Sequence, residues 1–344
     1  MAAGTRAAAA APPAARADSA PLVRSSHRGR AMGGRLGIHL ALDAAEGLPR
    51  RARHDAVLVE RRVVAWARIL TRHDPASALM RLNVDPRDPA PVGPTLAAVL
   101  AWAADAEAMT GGIVDVTRLE ERLAVETTAT GGHAAPGGHA DPVAAGAGPA
   151  GADPRGWRIA DGTRRRALVS RTDGVRFDLD GVAKGWLADR ALRLLRRYPG
   201  AVVDADGDVA VRVAPGDRWE VGVADPRAEG ALLAVLVLDD GPGSPGRGRR
   251  RWGVATSGTT VHRFGRGAHH LIDPRTGRPA ATDVVQATVL ASGAAVAEAF
   301  AKTAVILGSA AGLDFLDRAG VAGAILLLED DRVLALPRTM EFLG

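Results

Sequence analysis

Between Ala201 and Ala255 the chain carries five short apolar runs, at Ala201–Asp204, Val209–Val213, Glu220–Val223, Leu232–Leu238 and Trp252–Ala255, parted by turn residues rather than by helical stretches. This feature restricts the fold more than any other. Successive strands of this kind point to a largely antiparallel sheet and away from a regular βαβ alternation. Further strands are expected at Arg35–Leu42, where Leu36, Ile38, Leu40 and Leu42 alternate onto one face, and at Trp157–Ala160, Ala167–Ser170, Val175–Leu179 and Val284–Ala291. A closing hairpin is expected from Ala322–Leu328 and Val333–Leu336. Helical spacing of apolar residues runs over His54–Leu70, Thr95–Met109, Val182–Tyr198, Ala294–Leu307 and Ala310–Ala319. The expectation is an α+β fold of largely antiparallel sheets with packed helices.

Two stretches have no period. Residues 1–30 are rich in Ala, Pro and Arg, and Pro12 and Pro13 interrupt the one run that could pass for a signal peptide. A disordered tail and a cytoplasmic protein are expected. Residues 125–156 are Gly, Ala, Pro, Thr and His, which reads as a flexible insert, with His133 and His139 solvent-exposed within it. The remaining chain, 31–340, is expected to form a single domain.

Composition removes several functions. There is no cysteine, so disulfides, thiolate metal sites and thiol catalysis are excluded. No run of about eighteen apolar residues exists to form a spanning helix. The net charge of +5 comes from scattered Arg, and aromatics are only 3%, so a nucleic-acid partner is not expected. Of 44 basic residues just two, Lys184 and Lys302, are lysines. Arg and Lys are not interchangeable at a tight site, so those two positions call for a reason.

Three stretches could carry chemistry. In Phe177–Trp186 a strand enters a helix through a Gly-containing turn, so that helix N–H groups and Lys184 could meet an anion. Asp178 could accept from a ring N–H or a sugar hydroxyl; alternatively, Asp178 and Asp180 cap the helix. The second stretch holds Thr256 and Ser257 around glycines, then His270, Asp273 and the turn Asp273–Gly277. A His beside a carboxylate is a usable base. No nucleophile elbow accompanies Ser257, which weighs against a Ser257–His270–Asp273 triad. In the third, Glu298 and Lys302 stand at i and i+4, a spacing that commonly means a surface ion pair, but the flanking Ala, Phe and Val residues argue for burial.

Taken in order, these stretches resemble the FAD:protein FMN transferase family, the ApbE family. Asp178–Gly185 resembles its D-L-x-G-x-A-K-G, Ala255–Gly258 its A-T-S-G, and His270–Pro279 its H-x-I-D-P-x-T-G-x-P. Ala297–Gly308 loosely resembles its A-D-x-x-x-T helix, and weaker likenesses lie at Met32-Gly33, Ser77–Asn83 and Thr110–Asp115. The resemblance implies an enzyme that splits the FAD pyrophosphate, moves FMN to a Thr or Ser of an acceptor flavoprotein and releases AMP with a divalent cation, usually Mg2+. It implies FAD contacts at Met32, Ile113, Val114, Asp115, Asp178, Lys184 and Ile272, with Thr256 and Ser257 nearby, and catalysis by His270 with Asp273. The family's metal ligands fall on Gly181, Glu298 and Lys302. An ammonium donates only and cannot ligate a metal. Either Lys302 replaces the metal as a fixed charge, or the chain binds flavin without transferring it. A Mg2+-dependent FAD pyrophosphatase is the third alternative.

Overall fold

The computed structural model describes residues 7–8, 22–43, 49–129, 155–163, 166–240, 251–260, 263–264 and 268–344. Among the described residues seven α-helices follow one another: α1 (Pro49–Leu70), α2 (Ala78–Asn83), α3 (Pro94–Met109), α4 (Leu119–Ala129), α5 (Ala183–Leu194), α6 (Ala294–Leu307) and α7 (Ser309–Arg318). The chain divides into two units where one domain is expected. Unit 1 comprises Met1–Ala67, Lys184–Val261 and Thr282–Gly344; unit 2 comprises Arg68–Ala183 and His262–Ala281. The division falls inside α1 and at the start of α5, where helical periodicity runs through without a break, so no composition shift announces it.

Unit 1 is built on an eight-stranded sheet in the order Val333–Ala335, Gly323–Leu328, Val284–Ala291, Arg251–Gly258, Asp208–Arg212, Gly200–Ala205, Gly34–Asp43 and Leu22–Ala31. Every neighbouring pair is antiparallel. Both faces are covered. Val203 and Ala210 join Leu36, Ile38 and Leu40 in a core with Val59 and Val63 of α1 and Ala188 and Leu192 of α5. Val202, Val209 and Val211 point the other way, into a core with Trp219, Val221, Leu236 and Leu238. Two buried faces explain why these strands read as apolar runs rather than as clean alternation.

Unit 2 has a three-stranded antiparallel sheet, Ala90–Val92, Arg166–Arg171 and Trp157–Thr163, together with α2, α3 and α4. Its buried residues include Leu96, Val99, Leu100, Ala103 and Ala106, the inward stripe expected of α3. Two short hairpins complete it: Arg263–Phe264 with Ala268–His269, and Ile272–Asp273 with Arg278–Pro279.

Four expectations need correcting. Residues 22–31 belong to no tail: they pair with Gly34–Asp43 through ten registered residues. This strand is the sheet edge, and its half-buried and exposed, largely polar residues hid it from a search for apolar period. Val175–Leu179 is not a strand; the side chain of Asn83 holds both Phe177 N and Phe177 O, at 2.7 and 2.8 Å, in place of a neighbouring strand. Helix α5 stops at Leu194 rather than Tyr198 because the buried Arg212 guanidinium takes the carbonyls of Leu192, Leu195 and Tyr198. The expected insert begins later, since α4 runs to Ala129. His133 and His139 lie outside the described residues. No helix among those described is long and apolar enough to cross a membrane.

Candidate functional site

Both lysines of the chain fall in unit 1, beside the same two buried carboxylates. Lys184, in the first turn of α5, places Nζ 3.7 Å from Asp208 Oδ2. Asp208 is 2% exposed and Glu298 7%. Glu298 Oε2 accepts from Gly185 N at 2.9 Å, so an anion sits on the free N–H groups and positive dipole end of α5. Asp189 of α5 returns the favour, accepting from Ala294 N and Ala295 N at 3.2 and 3.1 Å and capping α6. The two helix starts are so close that a Cβ on Gly185 would come within 2.5 Å of Ala294 O. Only glycine fits there.

Lys302 lies one turn beyond Glu298 on α6, and its charge acts on both Glu298 and Asp208. Burial pushes the Glu298 carboxyl up to about 8 and Asp208 adds to the rise, while Lys184, Lys302 and the Gly185 N–H oppose it. Burial likewise raises Asp208 to about 6, against the pull of Lys184 and Lys302. Asp189, Asp204 and Asp208 are the carboxylates of this region that the sequence reading missed. Asp208 directly follows Gly207, where the family's G-G-D turn is expected, while Asp189 and Asp204 carry no such signal.

Nearby in unit 1, Met32 and Gly33 close the Leu22–Ala31/Gly34–Asp43 hairpin with φ of 55° and 76°. Methionine is out of place there, because L side chains other than Asn and Asp rarely adopt this region. Asp206 and Gly207 make a second positive-φ turn, and Asp206 Oδ1 accepts from Arg35 N at 3.2 Å. Thr256 and Ser257 are half-buried on their strand, and the Thr256 hydroxyl shares a hydrogen bond of 2.9 Å with Thr288.

Unit 2 treats its acidic groups differently. Asp178 Oδ1 accepts from Asp180 N at 3.0 Å and Oδ2 from Arg122 Nη1 at 3.1 Å. Asp180 Oδ2 meets Arg122 Nη2 at 2.9 Å and Arg72 Nε at 3.3 Å. Both guanidiniums also bind Glu126, Arg72 at 2.6 Å and Arg122 at 3.1 Å. Asp178 thus accepts a backbone N–H of the turn into α5, and both aspartates are tied into an arginine network. Burial, then Asp180, raises the Asp178 carboxyl; burial also acts on Asp180, but Arg122 and Arg72 outweigh it and hold that group below the ordinary value.

The Thr110–Asp115 segment turns through Gly111 and Gly112, with φ of 61° and 84°. It is pinned by Val114 N donating to Thr110 Oγ1 at 3.0 Å. Ile113 and Val114 are buried, and the Asp115 carboxylate receives Thr117 N and Arg118 Nε.

In the Ile272–Asp273/Arg278–Pro279 hairpin, Gly277 N closes the turn onto Asp273 O at 2.8 Å. Ile272 is buried in it. The Asp273 carboxylate is gripped by Arg275, Nε to Oδ1 at 2.9 Å and Nη2 to Oδ2 at 2.7 Å. These hydrogen bonds hold it below the usual carboxylate range despite some burial. Asp273 thus fastens the turn. His269 is buried, its Nε2 3.1 Å from Ala280 O and its Nδ1 accepting from Leu271 N at 3.3 Å, which fixes the proton on Nε2. His270, half-buried, is the imidazole of this hairpin that keeps exposed surface.

Of the expected metal ligands, Glu298 alone offers a side-chain oxygen. Gly181 lies in unit 2 and Glu298 and Lys302 in unit 1. Among the described residues no group of three or more His, Asp or Glu is arranged to hold a metal ion. Mg2+ wants an octahedral shell of oxygens, and an ammonium supplies no lone pair. The residues present do not fit the ion.

An α+β chain with an antiparallel eight-stranded sheet and these ordered motifs has known counterparts. The sequence pattern of the ApbE family matches residues 32–326, and the chain belongs to that family. Among curated proteins, the FAD:protein FMN transferase of Treponema pallidum (strain Nichols) is 33% identical through 177 residues, 47% of this chain and 46% of that protein. The FAD:protein FMN transferase of Rhodobacter capsulatus is 31% identical through 174 residues, 49% of this chain and 31% of that protein. The chain thus spans about half, or less, of the length of these relatives. Among solved structures, Pseudomonas stutzeri flavinyl transferase ApbE in its apo form superposes with a TM-score of 0.72 at 20% identity, covering 94% of this chain and 98% of that one. The ApbE protein of Thermotoga maritima gives 0.70 at 22%, covering 94% and 100%.

Proposed function

We propose that this chain is an FAD:protein FMN transferase, moving FMN from FAD to a Thr or Ser hydroxyl of an acceptor flavoprotein and releasing AMP. The observation that carries the reading is the pair of lysines, Lys184 in the first turn of α5 and Lys302 on α6, that act on the buried carboxylates of Asp208 and Glu298. An ammonium in the first turn of α5 and a second on α6, both acting on the same two carboxylates, suit a pyrophosphate in a chain that writes arginine everywhere else. The acceptor oxygen forms a bond to the phosphorus of the FMN half. The bond from that phosphorus to the bridging oxygen breaks, and AMP leaves with the bridging oxygen. Lys184 and Lys302 take up charge on phosphate oxygens. His270 accepts the hydroxyl proton as the nucleophile attacks. Asp273 acts on this reading by keeping the hairpin closed around Arg275, not by pairing with the base. No step is assigned to Mg2+.

The test is to incubate the protein with FAD and a Thr-containing acceptor, then follow AMP by chromatography and flavin fluorescence on the acceptor band. AMP with a fluorescent acceptor is the expected result. AMP with free FMN identifies a pyrophosphatase instead, and bound flavin with no AMP identifies a binding protein. His270→Ala should slow AMP release by about 10²–10⁴-fold with FAD affinity retained. A full-rate His270→Ala enzyme removes His270 from the chemistry.

A further inference from the structure

We propose that the Lys302 ammonium is itself the resident cation of this site and that it stands in place of a divalent ion. Four observations meet here. The chain has only two lysines, and both act on the same two buried carboxylates. Two ammoniums act on these two carboxylates, so fixed cations oppose their charge without any added ion. One Glu298 oxygen is already committed to Gly185 N. The position one helical turn after Glu298, where an oxygen would complete a metal shell, carries a donor-only group. Asp208 Oδ2 is the atom that leaves the question open to experiment. It is buried, it receives no hydrogen bond, and its counter-charge on Lys184 stands at 3.7 Å. It remains an oxygen a divalent ion could use if the ammonium did not repel it. A dication a few ångströms from a fixed ammonium in a poorly screened interior meets strong like-charge repulsion.

The part Lys302 plays toward phosphate rests on the transferase reading, but the exclusion of a metal does not. The test therefore begins with Mn2+ alone, titrated into the full chain and followed by the electron paramagnetic resonance of the free ion. The wild-type protein should hold no more Mn2+ than Glu298→Gln does. Lys302→Thr, and independently Lys302→Ser, should each gain one equivalent, bound more than about a hundredfold tighter than by the wild type. Thermal unfolding confirms that both variants are folded. One equivalent held by the wild type and lost in Glu298→Gln overturns the proposal, as does a folded Lys302→Thr that gains nothing. In a second arm, AMP release from FAD should survive EDTA in the wild type. Loss on EDTA with recovery on adding Mg2+ also overturns it. Absence of AMP under every condition defeats the transferase reading, while the Mn2+ titration still decides the cation.

Discussion

Two acidic clusters in this molecule are neutralised by different cations. In unit 2, Asp178, Asp180 and Glu126 are held by Arg72 and Arg122, with five nitrogen–oxygen distances from 2.6 to 3.3 Å. In unit 1, Asp208 and Glu298 face Lys184 and Lys302, and Asp208 Oδ2 is left with no hydrogen bond at all. A guanidinium forks, so one arginine can satisfy two carboxylates at once and lock them. At 3.7 Å the Lys184 ammonium balances Asp208 as a point charge without donating a hydrogen bond to Oδ2. The arginine cluster is a fastening, whereas the lysine cluster leaves one buried carboxylate oxygen without a hydrogen bond.

The comparison breaks most sharply under substitution. Arg122→Met leaves the buried Asp178 and the half-buried Asp180 with one guanidinium between them. It should cost about 3–5 kcal/mol in urea unfolding. Arg122→Lys should recover only part of that, since one point charge cannot span three carboxylates. Lys302→Met should cost less, on the order of 2 kcal/mol, because Lys184 remains and Glu298 can take up a proton instead. Equal losses from Arg122→Met and Lys302→Met would abolish the distinction between fastening and open cluster.

A smaller effect separates the clusters by pH. Asp204 of unit 1 is raised to about 6, first by burial and then, against the Gly207 N–H, by Asp206. The native state keeps this proton where the unfolded chain has lost it, so its contribution is complete below about pH 4 and fades as pH rises toward 6. Glu126 of unit 2 is the reverse case. Burial raises it, but hydrogen bonding and charge from Arg72 and then Arg122 win, and it sits below its ordinary value. Its contribution is present at neutral pH and is lost on acidification. Asp204→Asn should therefore remove a decline in stability between pH 4 and 6 worth on the order of 1–2 kcal/mol, the shift being discounted for partial exposure. Glu126→Gln should remove an acid-side loss of opposite slope. Two slopes of the same sign would contradict the assignment.

What the sequence disclosed of this contrast was one-sided. Glu298 and Lys302 were visible because charged residues interrupt an apolar helix, and Lys184 because lysine is so scarce here. Arg72 and Arg122 were invisible, since arginine is common in this chain and neither lies in a motif. Their partner Asp178 is 106 and 56 residues away, and only the folded chain closes those gaps. The strands buried on both faces were legible as apolar runs. The edge strand Leu22–Ala31 was not, because an edge gains its order from hydrogen bonds to Gly34–Asp43 rather than from side-chain burial. Asn83 carried no signal of its role either: its amide replaces a strand partner for Phe177, a function that spacing does not encode.

The smallest expected effect sharpens the same comparison at the turns. Unit 2 makes its positive-φ turn with two glycines, Gly111 and Gly112, and stores nothing there. Unit 1 puts Met32 at φ 55° before Gly33, while packing its side chain against the core that includes Val59 and Val63. Holding a methionine in the left-handed region costs about 1–2 kcal/mol. Met32→Gly relieves that strain but gives up the burial of a half-covered side chain and loosens the unfolded chain, so the changes nearly cancel. The net change in stability should be within about 1 kcal/mol of zero. A residue kept in a strained place for no gain in stability is kept for contact, and on the transferase reading that contact is with FAD. Met32→Gly should accordingly weaken FAD binding, measured by flavin fluorescence titration, by about tenfold, one large apolar contact being worth 1–2 kcal/mol. If instead Met32→Gly destabilises the fold by several kcal/mol and leaves FAD affinity untouched, Met32 is a packing residue, and the strained turn belongs with the fastenings rather than with the site.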